Sequence, residues 1–510
     1  MKTNSAGIAA SAISGIRWNY IGGIGSSICS MVIGAVLARI LGPKPFGQAI
    51  IAITIHGFVN LFVDGGFSQA LIQKKEVSNL DIRRTFTSQI FIGLISSSIV
   101  FAAAPLIARL FHDPGAAPVV RAMSVLLTIQ AIGLVSAALL RRQMRFRAIQ
   151  YARLSGYLGG YLLLGIPLAF LGAGVWSLVA AYLAQGLASS VLLYWAARHP
   201  IRPSFALPHR SIRVFGGTIV ANNIANWGLD NLDNIAASQL GPVALGLYGR
   251  SFNFAHQPCS AIVNGVQSVL LSATSKVQEK KELLGEITLS ALGAILGILG
   301  PAYATLFLLP YTVMIGLYGP KWVLAVPLMA PLAISTLLYG CMCLLGPILC
   351  GAGRPSLEFW PMAISCAVAA VAYFAAARWS LVAVAWAVCS VTILRFLLMA
   401  FVTFRLLRVR WLNAISLIFR RLLFSCAFAL IPWAFDHFLA FLNVGVSIRL
   451  FLVFGLSICL MGACIWYASA VVFGYEALTF LLRYGAHLPK IMEKRFHLAV
   501  HGIDPLRTAP

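Results

Sequence analysis

The stretch ARILGPKPFG, residues 38–47, contains a turn that the chain uses twice. The second copy, ASQLGPVALG, covers residues 237–246, and its Leu-Gly-Pro follows the first after 199 positions. Glycine favours the end of one helix, and proline suits the first turn of the next. Each copy is therefore predicted to connect two helices, and its repetition predicts an internal duplication.

A second exact match supports the duplication. The segment WSLVA occurs at Trp176–Ala180 and again at Trp379–Ala383, an offset of 203 residues. The two similar offsets predict a repeated unit of about 200 residues. The basic, proline-containing connection between the copies, Arg198–Arg213, has the composition of a boundary.

The composition predicts a membrane protein. Of 510 residues 60% are hydrophobic and only 10% are charged, with a mean hydropathy of +0.88, whereas soluble domains carry about 25% charged residues. Apolar runs long enough to cross a bilayer as helices recur throughout the chain. We predict fourteen transmembrane helices, at residues 18–39, 46–72, 86–110, 119–140, 152–171, 175–196, 214–239, 243–271, 287–309, 322–350, 359–377, 380–406, 418–440 and 447–473.

Six helices fall within each repeat, and an even number gives both copies the same orientation in the membrane. The predicted fold is therefore an all-α polytopic membrane protein with two parallel six-helix repeats and an appended helix pair. The repeats form an N-terminal lobe at 1–206 and a C-terminal lobe at 207–410. The appended pair covers 411–475, and a basic cytoplasmic tail covers 476–510.

The net charge of +24 would suit a nucleic-acid-binding protein, but its distribution argues against one. Most of the 38 Lys and Arg residues fall in alternate connections between predicted spans or in the two tails. Such a bias marks the cytoplasmic side of a membrane protein and predicts that both termini are cytoplasmic. The basic connections include Arg83 and Arg84, the Arg141–Arg153 segment, and Lys280 with Lys281.

Four stretches resemble the Wzx-type polysaccharide transporters of the multidrug/oligosaccharidyl-lipid/polysaccharide exporter superfamily. They are ARILGPKPFGQ at 38–48, DGGFSQALIQKKE at 64–76, LLRRQMRFRAI at 139–149 and GVWSLVA at 174–180. The resemblance implies two lobes around a central cavity and a bacterial inner-membrane location. It also implies flipping of an undecaprenyl-diphosphate-linked oligosaccharide for exopolysaccharide or lipopolysaccharide synthesis, with membrane lipids and other assembly proteins as partners.

Acidic residues inside predicted spans are the first candidates for a functional site, because a charge at mid-membrane needs a cavity or a partner. Asp64 lies in the second span. Asn223, Asn226, Asp230 and Asp233 follow one another at helical spacing in the seventh. They are interpreted either as a cavity wall that binds a coupling ion, H⁺ or Na⁺, or as hydrogen-bonding contacts between helices.

Basic residues and histidines supply further candidates. Arg250 lies at the same predicted depth as Asp233, so the two could pair, and Arg395 is in the middle of the twelfth span. The diphosphate implied by the resemblance suits the forked guanidinium of Arg250 or Arg395. His56 and His256 occupy nearly equivalent positions in the two lobes and are candidates either for a proton relay or for buried structural histidines.

Two rival functions stay open. A drug/cation antiporter would share the fold, although the intramembrane arginines favour an anionic cargo. A membrane enzyme of polysaccharide assembly is less favoured, because the external connections are short and the sequence has no P-loop. No catalytic residue and no cofactor is predicted, and the ten cysteines lack the spacing of a metal site.

Overall fold

The computed structural model divides into two compact units, Met1–Arg250 (unit 1) and Ser251–Pro510 (unit 2). It describes residues 5–74, 76–205, 223–224, 226–228, 230–275, 277–278, 280–467 and 472. This part of the chain consists of helices and their connections, and it contains no strand. Residues 214–222 of the predicted seventh span and the predicted tail 476–510 lie outside the described residues.

Unit 1 contains the helices that precede residue 251. In chain order they are α1 (Ser5–Leu41), α2 (Pro43–Asp64), α3 (Phe67–Gln73), α4 (Asn79–Leu110), α5 (Ala117–Arg142), α6 (Phe146–Leu158), α7 (Ile166–Phe170), α8 (Val175–Ala197), α9 (230–238) and the start of α10 (Pro242–Ser275). A π-helical segment, Gly159–Gly165, joins α6 to α7. Helix α5 lies at the centre and packs against α2, α4 and α8.

Unit 2 contains the rest of α10 and the helices that follow it. These are α11 (Lys281–Leu308), α12 (Pro310–Tyr318), α13 (Met329–Gly351), α14 (Phe359–Ala377), α15 (Leu381–Leu407), α16 (Trp411–Phe441) and α17 (Val446–Tyr467). Helix α11 packs against α13 and α16, and α17 packs against α12 and α16.

Ten helices in the described residues are long and apolar enough to cross a membrane, which makes the chain a multi-pass membrane protein. These ten helices are α2, α4, α5, α8, α11, α13, α14, α15, α16 and α17. Helix α1 adds a shorter apolar segment, Gly25–Leu41. All fourteen predicted segments overlap helical residues, but the number of crossings and the parallel repeat stay predictions.

The predicted second span, 46–72, is wrong as one continuous helix. Helix α2 ends at Asp64, and Gly65 and Gly66 follow with φ of 54° and 68°. This left-handed backbone favours glycine because a Cβ atom is strained there. The two glycines stop α2 and start the short helix α3, so Asp64 lies at a helix end rather than within a helix.

The two Leu-Gly-Pro turns have the local structure that their sequences predict. Gly42 and Gly241 have φ of 76° and 89°, and Pro43 and Pro242 open the helices α2 and α10. Both turns belong to unit 1, where the starts of the two helices lie against one another.

Two of the quoted motifs are joined by one side chain. Arg142, in LLRRQMRFRAI, donates hydrogen bonds to three carbonyls around the end of α3 in DGGFSQALIQKKE, those of Leu71, Ile72 and Lys74. The last carbonyls of a helix have no partner within it. Arg142 therefore completes the C-terminus of α3 and ties it to α5.

A buried ion pair holds α17 in unit 2. Arg449 Nε donates to Asp436 of α16 at 3.0 Å, and its Nη2 bonds to the same carboxylate. Thr312 of α12 donates to Asp436 at 2.9 Å. Val453 is the buried residue of α17, so this polar contact joins three helices at a place where α17 contributes few buried apolar side chains.

Candidate functional site

A polar cavity of about 620 Å³ lies within unit 1. Helices α2, α5 and α8 form most of its wall, with further residues from α3, α6 and Asn223. Its size is within the usual range for small-molecule sites, about 300–1,000 Å³. A cavity lined by amides, hydroxyls and charges is unusual in so apolar a chain, so it is the leading candidate site.

Helical periodicity places the lining residues of α2 and α5. On α2, His56, Asn60 and Asp64 recur every four residues and so share one face. On α5 the stripe extends from Met123 to Arg141, about 27 Å along the axis. The cavity therefore follows α5 for most of a membrane thickness.

Close packing gives the wall its shape. Gly133 of α5 lies against Ser190 of α8, and a Cβ at position 133 would be 2.9 Å from Ser190 Oγ. Ser190 donates to the carbonyl of Ile129 at 2.9 Å. Helix–helix contacts in membranes favour such small residues, and here they leave the larger polar side chains free to face the cavity.

His56 lines the deeper part of this cavity. Its Nε2 lies 3.1 Å from Oε1 of Gln130 on α5, while its Nδ1 is buried without a hydrogen-bond partner. Asn60 Oδ1 and Gln185 Oε1 are likewise buried without partners. A buried hydrogen-bonding group without a partner costs about 1–3 kcal/mol, so these three groups favour binding of a polar ligand in the cavity.

Asp64 lines the same cavity at the end of α2. Its Oδ1 accepts a short hydrogen bond from the hydroxyl of Ser68 on α3. The bond spans the two-glycine turn and fixes the carboxylate at the junction of α2 and α3. The motif around Asp64 therefore serves both the turn and the cavity.

Arg141 and Arg153 also line the cavity, although the charge pattern of the sequence does not predict it. Both side chains are exposed, and the charge of Arg141 acts on Arg153. The charge of their basic segment predicts a cytoplasmic connection. The spacing along α5 does indicate this place for Arg141, because it lies four residues after Ala137 and so on the same helix face.

The predicted polar stripe of the seventh span does not share one environment. Asn223 lines the cavity, Asn226 and Asp230 are exposed, and Asp233 is only 5% exposed. Nearby, Trp227 packs against Phe58 of α2 with ring centroids 4.8 Å apart. The four residues therefore meet different surroundings despite their regular spacing.

The predicted pair of Asp233 with Arg250 is wrong. The Asp233 carboxylate instead accepts a hydrogen bond from the Tyr248 hydroxyl at 2.7 Å and one from the Asn234 backbone at 2.8 Å. Tyr248 and Arg250 are two residues apart on α10, so they point in different directions. The sequence predicts that Asp233 and Arg250 lie at equal depth, but it does not predict in which direction each side chain points around its helix.

The Arg250 guanidinium packs against α1 and α2. A Cβ at Gly34 would lie 1.8 Å from its Nη2, and its Cζ is 5.4 Å from the centre of the Phe46 ring. Glycine at position 34 therefore provides the space that this guanidinium occupies. Arg250 is not among the residues that line the polar cavity.

The remaining predicted residues belong to unit 2. The ring of His256 stacks on Phe252 with centroids 5.2 Å apart and lies 4.6 Å from the ring of Tyr339. His56 and His256 therefore differ in environment, one facing an amide and the other aromatic rings. Arg395 is half-buried on α15.

These features define a class: a polytopic helical membrane protein with a polar cavity inside one of its units. The family described as "Polysaccharide biosynthesis protein" matches residues 36–327. The match covers more than half of the chain, so the chain belongs to this family, and its resemblance to the Wzx-type polysaccharide transporters is confirmed.

Two relatives come from bacterial polysaccharide synthesis. The succinoglycan biosynthesis transport protein ExoT of Rhizobium meliloti is 28% identical over 349 residues, 68% of this chain and 70% of that protein. The lipopolysaccharide biosynthesis protein WzxC of Escherichia coli is 24% identical over 352 residues, 68% of this chain and 71% of that protein. Neither name describes an enzyme activity.

Two solved structures share the fold. The lipid II flippase MurJ, in an inward closed conformation, gives a TM-score of 0.67 at 14% identity, covering 88% of this chain and 99% of that one. An inward-facing multidrug resistance MATE family transporter gives 0.57 at 13% identity, covering 80% and 98%. At these identities the likeness shows the fold alone.

Proposed function

We propose that this protein flips an undecaprenyl-diphosphate-linked oligosaccharide across the bacterial inner membrane for exopolysaccharide or lipopolysaccharide synthesis. The observation that carries the proposal is the polar cavity within a membrane-embedded helical unit. A saccharide diphosphate cannot cross hydrocarbon unaided, because each buried polar group without a partner costs several kcal/mol. A cavity of amides, hydroxyls and arginines offers such a group replacement hydrogen bonds.

The proposed mechanism is alternating access. Two lobes, 1–206 and 207–410, would rock against one another and expose a central site first to the cytoplasm and then to the periplasm. We further propose that the helices of 411–475 are appended to these two lobes and that both termini lie in the cytoplasm. The predicted parallel repeat and the name of the Rhizobium relative, a transport protein, support alternating access.

Ion coupling is proposed for the polar residues of the first lobe and the seventh span. His56, Asp64 and Asn223 line one cavity, so H⁺ or Na⁺ bound there would meet a carboxylate, an imidazole and an amide. Asp230 and Asp233 stay candidates for the same role, with Asn226 beside them and His256 in unit 2. Arg250 and Arg395 stay candidates for contact with the diphosphate.

A drug/cation antiporter is the second candidate function. Its cargo would need negative charge in the cavity, and Asp64 supplies one carboxylate. The arginines Arg141 and Arg153 outnumber it, so the cavity favours an anionic cargo. The names of both relatives likewise favour polysaccharide synthesis over drug efflux, and that of the Rhizobium relative favours transport over an enzyme activity.

Deletion of the gene in its own polysaccharide-producing bacterium tests the function. We expect loss of the surface polysaccharide and accumulation of its lipid-linked precursor, measured by mass spectrometry of extracted lipids. Complementation with the wild-type chain is the control for polar effects on neighbouring genes. Normal polysaccharide with no precursor accumulation, together with altered drug sensitivity, would favour the antiporter instead.

A further inference from the structure

Arg141 and Arg153 are the arginines of the polar cavity, and no described residue accepts a hydrogen bond from either. Other arginines of the same segment do have acceptors. Arg142 bonds to the carbonyls around the end of α3, and Arg145 donates to the carbonyl of Ala196 at 2.9 Å. The two cavity arginines therefore keep their donors available for a ligand.

The two arginines line the same cavity, and the charge of Arg141 acts on that of Arg153. The other charged side chain on the described cavity wall is Asp64, whose carboxylate is already bonded to Ser68. The cavity wall thus carries a net positive charge at the end where α5 and α6 meet. Two guanidinium groups on the wall of one cavity can together bind an anion with several oxygens.

The rest of the wall suits what would be attached to that anion. Beyond the arginines it carries the amides of Asn60 and Gln185, each with a buried oxygen that lacks a partner. The hydroxyls of Ser189 and Tyr182 line the same space. Amide and hydroxyl groups of this kind match the donors and acceptors of a sugar ring.

We propose that Arg141 and Arg153 form a binding site for the diphosphate of a lipid-linked saccharide. The site lies inside unit 1, at a place distinct from Arg250 and Arg395, and the amide-lined remainder of the cavity accommodates the first sugar. The inference rests on the proposed function, because it assigns a head-group site to that transporter. In the predicted topology it faces the cytoplasm, where the lipid-linked precursor is loaded.

Binding to the purified full-length chain in detergent tests the site by isothermal titration calorimetry. The probes are geranylgeranyl diphosphate, inorganic diphosphate, the uncharged geranylgeraniol and the anionic lipid phosphatidylglycerol. The variants are Arg141→Gln, Arg153→Gln and their double. The matched control is Arg147→Gln, which removes a charge from the same segment at a side chain that stacks on Tyr151 and does not line the cavity.

We expect geranylgeranyl diphosphate to bind the wild type more tightly than inorganic diphosphate or phosphatidylglycerol does. Each single variant should weaken it about tenfold, which corresponds to the loss of one charge-assisted hydrogen bond. Arg147→Gln should bind like the wild type, and geranylgeraniol should not respond to any variant. Lysine at 141 or 153 should restore part of the affinity, because it keeps the charge and loses the fork.

Several results would overturn the site. One is that the double variant binds geranylgeranyl diphosphate as tightly as the wild type does. The others are that the wild type does not bind it at all, or that the wild type binds phosphatidylglycerol more tightly. The proposed function fails separately, when wild-type protein does not move lipid-linked saccharide between leaflets. Transport by wild type together with unchanged diphosphate binding by the double variant would remove the site and leave the function standing.

Discussion

Gly47 and Gly246 pack reciprocally against the helix starts of the two repeated turns. A Cβ at Gly47 would lie 1.8 Å from the carbonyl oxygen of Pro242, and a Cβ at Gly246 would lie 2.0 Å from that of Pro43. Each glycine thus faces the turn of the other copy. The motif LGPxxxG therefore has two parts: a turn, and a glycine that contacts the turn of the other copy. This contact explains why the last glycine recurs at the same spacing in both copies.

Alanine at position 47 or 246 should be poorly tolerated, because its methyl group would collide with backbone that has no room to move. We expect a loss of about 1–3 kcal/mol or more in the free energy of unfolding, measured as a lower melting temperature of the purified protein. Gly462→Ala is the control, since a Cβ there meets open space. Melting temperatures of both variants equal to that of Gly462→Ala would refute the close contact.

The sequence predicts features that depend on local chemistry. The Leu-Gly-Pro turns, most helix positions and the polar character of His56 and Asp64 follow from residue type and spacing. The contact between Gly47 and Gly246 could not be predicted, because it depends on how distant helices pack. The same limit explains why hydropathy gave one span over 46–72, where the backbone of Gly65 and Gly66 breaks it.

Which residues line the polar cavity is also difficult to predict from the sequence. An arginine near the end of a span has the same sequence pattern whether it faces a loop or a cavity. The pattern at Arg141 and Arg153 therefore predicts a cytoplasmic position and not a place in the cavity wall. Depth in the membrane is readable from sequence, but rotation about the helix axis is not. Asp233 therefore meets Tyr248 rather than Arg250.

Removing the carboxylate at Asp230 or Asp233 should abolish export while the protein stays in the membrane. The matched variant Tyr248→Phe keeps the Asp233 carboxylate and removes one hydrogen bond, so it should retain export and lose about 1 kcal/mol of stability. Polysaccharide secretion and membrane abundance are measured together for Asp230→Ala, Asp233→Ala and Tyr248→Phe. Normal secretion in both aspartate variants would assign the stripe to helix packing.

The ion pair between Asp436 and Arg449 should show strong coupling. Either Asp436→Leu or Arg449→Met alone leaves a buried charge and should lower the free energy of unfolding by about 3–5 kcal/mol. The double variant should be more stable than either single one, because it leaves no uncompensated charge. Thermal unfolding of the four proteins gives the coupling. Additive losses would mean that the two residues stabilise the helices independently.

His199 should make stability depend on pH. It is 5% exposed, its ring lies between those of Phe86 and Tyr194, and Ser136 Oγ is 3.0 Å from its Nε2. This burial lowers the pKa of His199 below the ordinary 6.5, with a smaller opposing effect of the Pro200 carbonyl. The unfolded chain therefore takes up a proton first as the pH falls.

The free energy of unfolding should decrease as the pH falls through 6.5 and level off below the lowered pKa of His199. Above that range His199 is neutral in both states and contributes no pH dependence. Melting temperatures from pH 8 to pH 5 should fall less steeply in His199→Gln than in wild type. His437→Gln, at an exposed histidine, is the control. Equal slopes in wild type and His199→Gln would contradict the prediction.

Movement of the lipid-linked saccharide between leaflets tests the proposed function most directly. The purified chain is reconstituted into vesicles with fluorescently labelled lipid-linked saccharide from the producing bacterium, and a membrane-impermeant quencher is added outside under a gradient of H⁺ or Na⁺. We predict that protein-containing vesicles lose fluorescence from both leaflets, whereas protein-free vesicles lose only the outer half. An inner-leaflet signal that stays protected in vesicles with correctly inserted protein, under either gradient, would contradict the assignment as a flippase.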